Sequence, residues 1–268
     1  MTNDLWQTDC MHGPKVYHEG KLRKSYLFAI IDDHSRLITH GEFYLAETLD
    51  NFLECFWTAL NKRGVPRKVY TDNGASFRSH RLQLGCADLG IGLSYAKPYR
   101  PQGKGKIERF FRTVRSQFLP ELQENLTLEK LNTQFFNYIN NEYHKRKHGT
   151  TGETPINRYQ KSAKLLRAAP KNLPLFFRKQ VVRTVNKDRT IKLNNRLFEA
   201  PHGLVGHMVS LRYEELDRIE VFLEDKSMGF LTEVNLVVNS RIGRENSNES
   251  ISSNGGQLFS KGGYNGKH

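Results

Sequence analysis

One apolar run constrains the fold of this chain more than any other feature of its sequence. Residues 26–32 (YLFAIID) are almost continuously apolar, which is typical of a strand that is buried on both faces of a sheet. Residues 4–11 (DLWQTDCM), which end at a His-Gly-Pro turn, and residues 37–44 (LITHGEFY) predict one strand before it and one after it. Three strands joined by turns indicate an antiparallel meander, and its buried strand requires helices on both sides.

Helices and further strands alternate after the meander. Thr48 is the expected N-cap of a helix that Gly64 and Pro66 end. Its apolar residues recur at helical spacing: Leu49, Phe52, Leu53, Phe56, Trp57 and Leu60. The same reasoning predicts strands at 67–71 and 91–95 and helices at 79–89, from Lys104 to Pro120, at 126–143 and at 154–160. This order predicts an α/β domain over residues 1–160, with a mixed sheet flanked by helices.

The second half of the chain has a different texture. Residues 161–177 contain two prolines and a basic bias, and we predict an interdomain linker there. Over residues 178–240, short segments of alternating polarity, from QVVRTV to MGFLTEV, are separated by turn residues. This spacing predicts a small all-β barrel. DNA binding or assembly is the role that we expect for it. Residues 241–268 are rich in Ser, Asn and Gly, and we expect them to be disordered.

The charge of the chain points to a polyanionic partner. The net charge is +13 at pH 7 and the isoelectric point is about 9.6. Nucleic acid is the first candidate and an anionic membrane surface the second. No run approaches the roughly 20 apolar residues of a membrane span, and the first residues lack the basic and apolar regions of a signal peptide. We therefore expect a DNA partner and no membrane association.

Cysteine and histidine spacing argues against a zinc or disulfide scaffold. Cys10, Cys55 and Cys86 form no CxxC pair, so neither a zinc finger nor a disulfide framework is predicted, and a reducing cytoplasm is the plain expectation. His144 and His148 have zinc-like spacing, but no cysteine pair accompanies them. We interpret both as part of the basic run HKRKH.

Three carboxylates lie on elements that could bring them to one point. Asp9 is in the first predicted strand, Asp72 follows the strand at 67–71, and Glu108 lies on the basic helix after a gap of thirty-five residues. Mg²⁺ prefers oxygen ligands and binds few carboxylates. Two such ions roughly 3.5–4 Å apart can activate an attacking oxygen and stabilise a leaving one. We therefore predict a site for two divalent ions.

Each carboxylate also has a structural alternative. An aspartate at a strand end is usually a turn or cap residue, and a glutamate among cations is usually one partner of solvated ion pairs. Asp32 and Asp33 form a competing pair, most simply interpreted as a turn that could also lie near the site. The order, the element types, the spacing and the basic surroundings together favour the metal site.

Four motifs resemble the integrase-core signature of bacterial insertion-sequence transposases: WQTD…GP, AIIDDHSR, VYTDNGASF and YRPQGKGKIERFFRTVRSQF. This family is related to retroviral integrases and to bacteriophage Mu transposase. The resemblance spans residues 4 to about 160. It implies a ribonuclease H-like fold and a DDE transposase, an enzyme that cleaves DNA 3′ ends and transfers them with two Mg²⁺ or Mn²⁺ ions. Asp9, Asp72 and Glu108 match its catalytic, metal-binding triad. More weakly, NKDRTIKLNNRLFEAP is similar to the β-barrel that often follows this core.

The resemblance also locates expected DNA contacts. It implies that Arg112 and Arg115, one and two turns beyond Glu108, contact the end of the mobile element. We expect DNA to order the loop AKPYRPQGKG and the helix start after it. The residues predicted to contact DNA there are Lys97, Tyr99, Arg100, Lys104 and Lys106. Their cations could equally be a solvated charge run.

Relatives usually carry helix-turn-helix domains before the core, whereas here the core motifs begin within ten residues of Met1. We expect a truncated or alternatively started product, or a recognition module on another chain. The alternative function is therefore a non-enzymatic DNA-binding remnant that regulates a full-length transposase. A ribonuclease H or junction nuclease on the same fold ranks last. The resemblance further implies a homo-oligomer on two DNA ends, and we expect a cytoplasmic, nucleoid-associated bacterial protein.

Overall fold

A five-stranded mixed sheet forms the centre of the first region. The computed structural model describes residues 1–74, 77–96, 101–161 and 166–234, without the side chains of residues 101 and 102. The sheet strands are β1 (Trp6–His18), β2 (Lys21–Asp32), β3 (Ile38–Tyr44), β4 (Lys68–Thr71) and β5 (Gly92–Tyr95). Their order is β3-β2-β1-β4-β5, antiparallel from β3 to β1 and parallel from β1 to β5. The fold is ribonuclease H-like, as the sequence predicted.

The hairpin of β1 and β2 is longer than predicted. We expected β1 to end at His12, Gly13 and Pro14, and this prediction was wrong. The strand continues through them with a register shift between His12 and Lys15. A Cβ at Gly13 would lie 2.5 Å from Ser25 Oγ, so only glycine fits this bulge. The hairpin turns instead at Glu19 and Gly20, both with positive φ.

Six helices accompany the sheets in the described ranges: α1 (Leu49–Arg63), α2 (His80–Asp88), α3 (Gly105–Thr113), α4 (Leu128–Asn137), α5 (Pro155–Gln160) and α6 (Leu173–Phe176). The predicted N-cap of α1 is confirmed, because Thr48 Oγ1 accepts from Asn51 N at 3.3 Å. A π-helical turn follows α3 at Val114–Phe118, and another follows α4 at Tyr138–Tyr143. No helix in these ranges is long and apolar enough to cross a membrane.

Helices cover both faces of the sheet. Phe28 and Ile30 of β2 pack with α1 and α2, whereas Leu27, Ala29 and Ile31 pack with α3 and α4. This alternation follows from the two-residue period of a strand. It confirms that the apolar run is buried on both faces.

Part of the predicted linker packs against the first region. Leu173 and Phe177 are fully buried in the same core as α1 and α2. The contact is close, since a Cβ added at Gly85 of α2 would clash with the Phe177 ring. Residues 162–165 lie outside the described residues. The predicted linker is therefore partly buried. The limits of the two domains stay predictions.

The second region consists of antiparallel sheets, as its alternating segments predicted. Its strands are β6 (Lys179–Thr184), β7 (Thr190–Leu193), β8 (Arg196–Glu199), β9 (Met208–Tyr213), β10 (Ile219–Leu223), β11 (Lys226–Phe230) and β12 (Thr232–Glu233). They form a four-stranded sheet, β11-β10-β9-β6, and a three-stranded sheet, β12-β8-β7. Inward residues such as Val209, Leu211 and Val221 are fully buried in one core. The predicted tail, 241–268, lies outside the described residues.

Candidate active site

Parallel pairing of β1 with β4 brings Asp9 and Asp72 level with each other. Gln7 pairs with Tyr70, and the two aspartates lie two residues further along each chain. Residues two apart on a strand point to the same face. Both carboxylates therefore project from the face that α3 covers, Asp9 from within β1 and Asp72 from just beyond the end of β4.

Lys104, at the start of α3, lies between these two carboxylates. Its Nζ is 2.8 Å from Asp9 Oδ1 and 3.4 Å from Asp72 Oδ2. The residue is only 8% exposed. Because like charges at close range repel, the ammonium group stabilises the approach of the two aspartates. The ammonium group of Lys104 thus offsets the negative charge at the point where the two carboxylates converge.

Backbone hydrogen bonds fix the orientation of the aspartates. Asp9 Oδ1 accepts from the Cys10 amide at 3.0 Å, and Asp72 Oδ1 accepts from the Gly74 amide at 2.8 Å. Burial raises the pKa of the Asp9 carboxyl above its ordinary value, and the hydrogen bond from Lys104 acts against this shift. A neighbouring cation therefore favours the ionised form of Asp9.

Glu108 lies one helical turn beyond Lys104. Its neighbours Ile107, Phe110 and Phe111 are buried, while Glu108 itself is exposed. Residues four apart share one side of a helix, so Glu108 projects from the side that carries Lys104. Among the described residues, no group of three or more His, Cys, Asp or Glu side chains is arranged to hold a metal ion. The structure brings Asp9 and Asp72 together and leaves Glu108 outside that pair.

Gln7 is a site residue that the sequence analysis missed. It is 2% exposed, and its Oε1 accepts from the Ile107 amide at 3.2 Å. Lys104, at the N-cap position of α3, makes no capping hydrogen bond through its side chain. Gln7 thus satisfies one of the free amides that begin every helix. It fixes the start of α3 to the strand that carries Asp9.

The competing pair Asp32 and Asp33 divides between two roles. Asp32 is fully buried and accepts from Asn3 N and from the amide and hydroxyl of Ser35 at 2.6–2.8 Å, so it is the predicted turn residue. Asp33 accepts from Gln7 Nε2 at 2.7 Å and pairs with Lys106. Asp33 therefore lies beside the site and links β1 to the start of α3.

Comparison with known families identifies both regions. Residues 1–101 match the family described as Integrase core domain, and residues 175–233 match the family described as Mu transposase, C-terminal. The chain therefore resembles an integrase core in its first region and a Mu transposase C-terminal domain in its second. The second match begins before α6 ends, within the segment that we predicted as a linker.

Individual relatives agree with this assignment. The chain is 31% identical over 179 residues to the transposase for transposon Tn552 of Staphylococcus aureus, covering 59% of this chain and 37% of that protein. It is 32% identical over 126 residues to the Gag-Pro-Pol polyprotein of Sheep pulmonary adenomatosis virus, covering 46% of this chain and 7% of that protein. The chain thus spans well under two thirds of the relatives that it matches. The resemblance to transposases with a DDE-type core is confirmed.

Solved integrase cores are also similar to the first region. The bovine immunodeficiency virus (BIV) integrase catalytic core is 24% identical with a TM-score of 0.48, covering 61% of this chain and 97% of that one. The HTLV-2 integrase catalytic core, solved in complex with magnesium, is 22% identical with a TM-score of 0.46, covering 59% of this chain and 96% of that one.

The predicted DNA contacts of the integrase core have different surroundings. Arg112 and Arg115 are exposed, and neither forms an ion pair with any described residue. Lys104 and Lys106 are instead paired with the carboxylates already described. Lys97, Tyr99 and Arg100 lie outside the described residues. A role in DNA binding stays a prediction for all seven positions.

One interpretation of the histidines was wrong. His144 does not belong to a solvated basic run, because it is 3% exposed and its Nε2 accepts from the Ile38 amide at 3.1 Å. Burial, and secondarily the charge of Arg63, lowers the pKa of His144 to about 3. It is therefore a neutral core residue that anchors the turn after α4 to the sheet. Such a residue cannot be distinguished from its basic neighbours by spacing alone.

The donor atoms at the site fit a hard divalent cation. Asp9, Asp72 and Glu108 offer carboxylate oxygens, which Mg²⁺ prefers. The thiol of the neighbouring Cys10 is a soft donor, which Mg²⁺ does not favour. Lys104 shows that the two aspartates already hold a cation between them. The residues present are thus compatible with a magnesium or manganese site.

Proposed function

We propose that this chain is a DDE transposase that cleaves DNA to expose a 3′ end and joins that end to a target DNA. The single observation that supports this most is the convergence of Asp9 and Asp72 on one point beside α3, with Lys104 between them. Integrase-core and Mu C-terminal families on one chain make transposition or integration of DNA the general context. Mg²⁺ or Mn²⁺, as two ions, is the proposed cofactor.

The proposed chemistry consists of two substitutions at phosphorus. First, a water oxygen bonds to the phosphorus and the bond to the 3′ oxygen breaks, leaving a 3′-OH and a 5′-phosphate. Then that 3′-OH bonds to a target phosphorus, and the target's own 3′ oxygen leaves with a proton. Two divalent ions supply activation of the attacking oxygen and stabilisation of the leaving one when bound. No covalent bond to the protein forms, so no Ser, Tyr or Cys nucleophile is needed.

The protein's own residues would position these reactants. Asp9, Asp72 and Glu108 would hold the ions. Lys104 has a flexible stem and a compact charge, so we infer that it leaves the aspartates when the ions bind and then contacts a DNA phosphate. Arg112 and Arg115 are exposed one and two turns beyond Glu108 and would bind the flanking phosphates.

The carboxylates can be tested by charge removal without change of size. Asp72→Asn and Glu108→Gln should each reduce nicking and strand joining on end-containing DNA, with Mg²⁺ or Mn²⁺, by about 10²–10³-fold or more. Asp88→Asn is the matched control, because Asp88 is an exposed aspartate at the end of α2. Wild-type rates in Asp72→Asn or Glu108→Gln would show that the assignment is wrong.

A non-enzymatic DNA-binding role is the second candidate. The observation that favours it is that Lys104, a residue of the chain itself, fills the space between the aspartates. Under this alternative, the chain binds DNA and regulates a full-length transposase. Duplex binding without any metal-dependent cleavage, also when a full-length transposase is added, would support the regulator and contradict the enzyme.

We also propose that the chain assembles as a homo-oligomer on two DNA ends. The proposal is supported by the transposase resemblance and by the chemistry, because concerted joining needs two active sites near one target.

A further inference from the structure

A basic concave surface lies on the other side of α3 from Glu108. Lys106 and Arg109 are placed about 100° or more around the helix from Glu108, at 3.6 residues per turn. They open onto a cavity of about 690 Å³ between α3, the β2–β3 turn and the turn after α4. We name this cavity the basic pocket, and its basic lining residues are Arg36, Lys106, Arg109, Arg146, Lys147 and His148.

The charges of the basic pocket are largely unbalanced. No aspartate or glutamate lines it, and Arg36, Arg109 and Lys147 form no ion pair with any residue that the structure describes. Arg146 has a distant partner, Glu142, at 3.9 Å, and donates to Gln117 at 2.6 Å. Burial first, and then the charges of Arg36 and Arg109, lower the pKa of His148. These two guanidinium groups therefore act on one point inside the pocket.

The walls of the basic pocket are held in place by specific contacts. Arg36 has a left-handed backbone with a φ of 68°, a conformation that residues with a side chain rarely adopt. The Tyr143 hydroxyl donates to the Arg36 carbonyl at 3.1 Å and supports that conformation. Gln117 and Tyr143, which also line the pocket, lie in the two π-helical turns. Such turns are rare and frequent at functional sites.

The basic pocket continues toward the candidate active site. Gly105 and Lys106 line it and also line a smaller cavity, of about 460 Å³, together with Gln7, Asp33 and Tyr70. The two cavities thus meet at the amino-terminal end of α3, where free amides and the helix dipole favour anions. A chain of phosphates could follow this route without crossing a carboxylate other than Asp33.

We infer that the basic pocket binds the phosphodiester backbone of duplex DNA, as a second contact surface beside the carboxylate site. Its volume lies in the range of small-molecule sites, but such sites are mostly apolar, whereas five cations line this one. A polyanion that releases its counterions gains most from such a surface. That the bound nucleic acid is DNA rests on the proposed function. It adds Arg36, Arg109, Arg146 and Lys147 to the predicted DNA contacts.

The test compares charge removal inside and outside the basic pocket. Arg109→Gln/Lys147→Gln removes two pocket charges from exposed positions. Lys130→Gln/Lys145→Gln is the matched control, because both lysines are exposed on the same part of the chain and line no part of the pocket. Arg109→Lys/Lys147→Arg keeps the charge and tests rescue. Circular dichroism confirms that each variant is folded.

The measurement is duplex DNA binding, without metal, over a series of salt concentrations. In a plot of log affinity against log salt, the pocket variant should lose about 2 units of slope, or about one per phosphate contact. The control should lose clearly less, and the charge-keeping variant should match the wild type. If the pocket variant and the control lost the same amount of slope, net charge alone would explain the effect and the inference would be overturned. An unchanged slope in both variants would also overturn it.

Two further arms separate the inference from the proposed function and identify the DNA. The salt series needs no cleavage, so an inactive protein with a pocket-dependent slope would overturn the enzyme but support the pocket. Where the wild type is active, the pocket variant is assayed for nicking against end duplex and for joining against target duplex. If the half-saturating concentration of one duplex is higher for the pocket variant than for the wild type, the result supports the pocket and identifies that duplex as its ligand. Unchanged values for both would overturn the pocket's role in the reaction.

Discussion

Two groups of cations lie around α3, and they differ in their ion-pair partners. On the side of Glu108, Lys104 is buried between Asp9 and Asp72. On the other side, Arg36, Arg109 and Lys147 of the basic pocket have no ion-pair partner in the described chain. Around one helix, a lysine beside the carboxylates is therefore paired, whereas three cations of the basic pocket are not.

This difference shows why a count of basic residues does not locate a DNA surface. A cation that is buried against carboxylates has lost its water and gained its partners, so a phosphate must compete with both aspartates for it. An exposed, unpaired cation holds only mobile counterions, which DNA displaces with a gain in entropy. We therefore expect the carboxylate site to govern the chemistry and the basic pocket to govern much of the DNA affinity.

The largest effect that separates the two sides is expected at Gln7. Gln7→Met keeps the volume but removes the acceptor for the Ile107 amide and the donor to Asp33. An unpaired buried amide costs about 1–3 kcal/mol, and we expect the start of α3 to shift. Because misplacement by about 1 Å can cost roughly 10²-fold in rate, nicking should fall by about that factor. Duplex binding without metal should stay within about twofold, since exposed cations supply most of it.

Asp33→Asn is the control for this positional effect. Its amide oxygen can still accept from Gln7 Nε2, so Gln7 keeps its position and its bond to the Ile107 amide, while the ion pair between residue 33 and Lys106 is lost. We expect nearly wild-type nicking from it. A Gln7→Met protein that nicks at the wild-type rate, or one that loses binding and nicking together, would contradict the separation of the two sides.

Much of the fold was predictable because local patterns carry it. The run YLFAIID, the cap at Thr48 and the alternating segments after residue 178 each determine their element within a few residues. The sequence pattern placed Asp9 within the first strand and Asp72 at the end of a later strand. Their level placement, however, depends on the parallel pairing of β1 with β4, which the pattern did not predict. The bulge at Gly13 was missed, since Gly-Pro reads as a turn unless the packing of Ser25 is known.

The rest of the site depends on contacts between distant parts of the chain. Gln7 and Ile107 are a hundred positions apart, and a backbone amide has no sequence signature that would reveal its partner. Likewise, Arg36 and Lys147 come together only because the turn after α4 packs against the β2–β3 turn. The buried state of His144 has the same origin. Spacing alone could therefore name the carboxylates but not the residues that position them.

A smaller effect is expected at Lys104, and it tests the balanced side directly. Lys104→Met removes the cation between the aspartates while keeping most of the apolar stem. In the absence of DNA, Mg²⁺ or Mn²⁺ should then bind about tenfold more tightly, equivalent to about 1.4 kcal/mol, because no ammonium group has to leave. Isothermal titration calorimetry and the metal-dependent shift of the melting temperature measure this. The salt slope of duplex binding should change by less than in the basic-pocket variant.

Lys106→Met is the comparison for that titration. Lys106 pairs with Asp33 rather than with Asp9 or Asp72, so its removal should leave metal affinity nearly unchanged. If Lys104→Met weakened metal binding, or changed it no more than Lys106→Met, Lys104 would not compete with the ions for the aspartates.

The smallest effect is a pH dependence on the side of the basic pocket. His144 accepts from Ile38 and so anchors the turn that carries Arg146 and Lys147. Its pKa is lowered from 6.5 to about 3 in the folded protein. The stability that neutral His144 contributes is therefore complete above pH 6.5 and is lost as the pH falls from there toward 3. Between pH 7 and pH 6, the loss should be under about 1 kcal/mol.

Urea unfolding at these two pH values, for the wild type and for His144→Gln, measures this loss. Glutamine can accept from Ile38 without titrating, so the variant should lose less stability on acidification than the wild type, whatever its absolute stability. Asp9 and Asp32, whose pKa values burial raises, titrate in both proteins and cancel in the difference. If the free energy of unfolding changed equally with pH in both proteins, His144 would not be the buried neutral anchor. Protonation of His144 would then leave this wall of the basic pocket as stable as the carboxylate side.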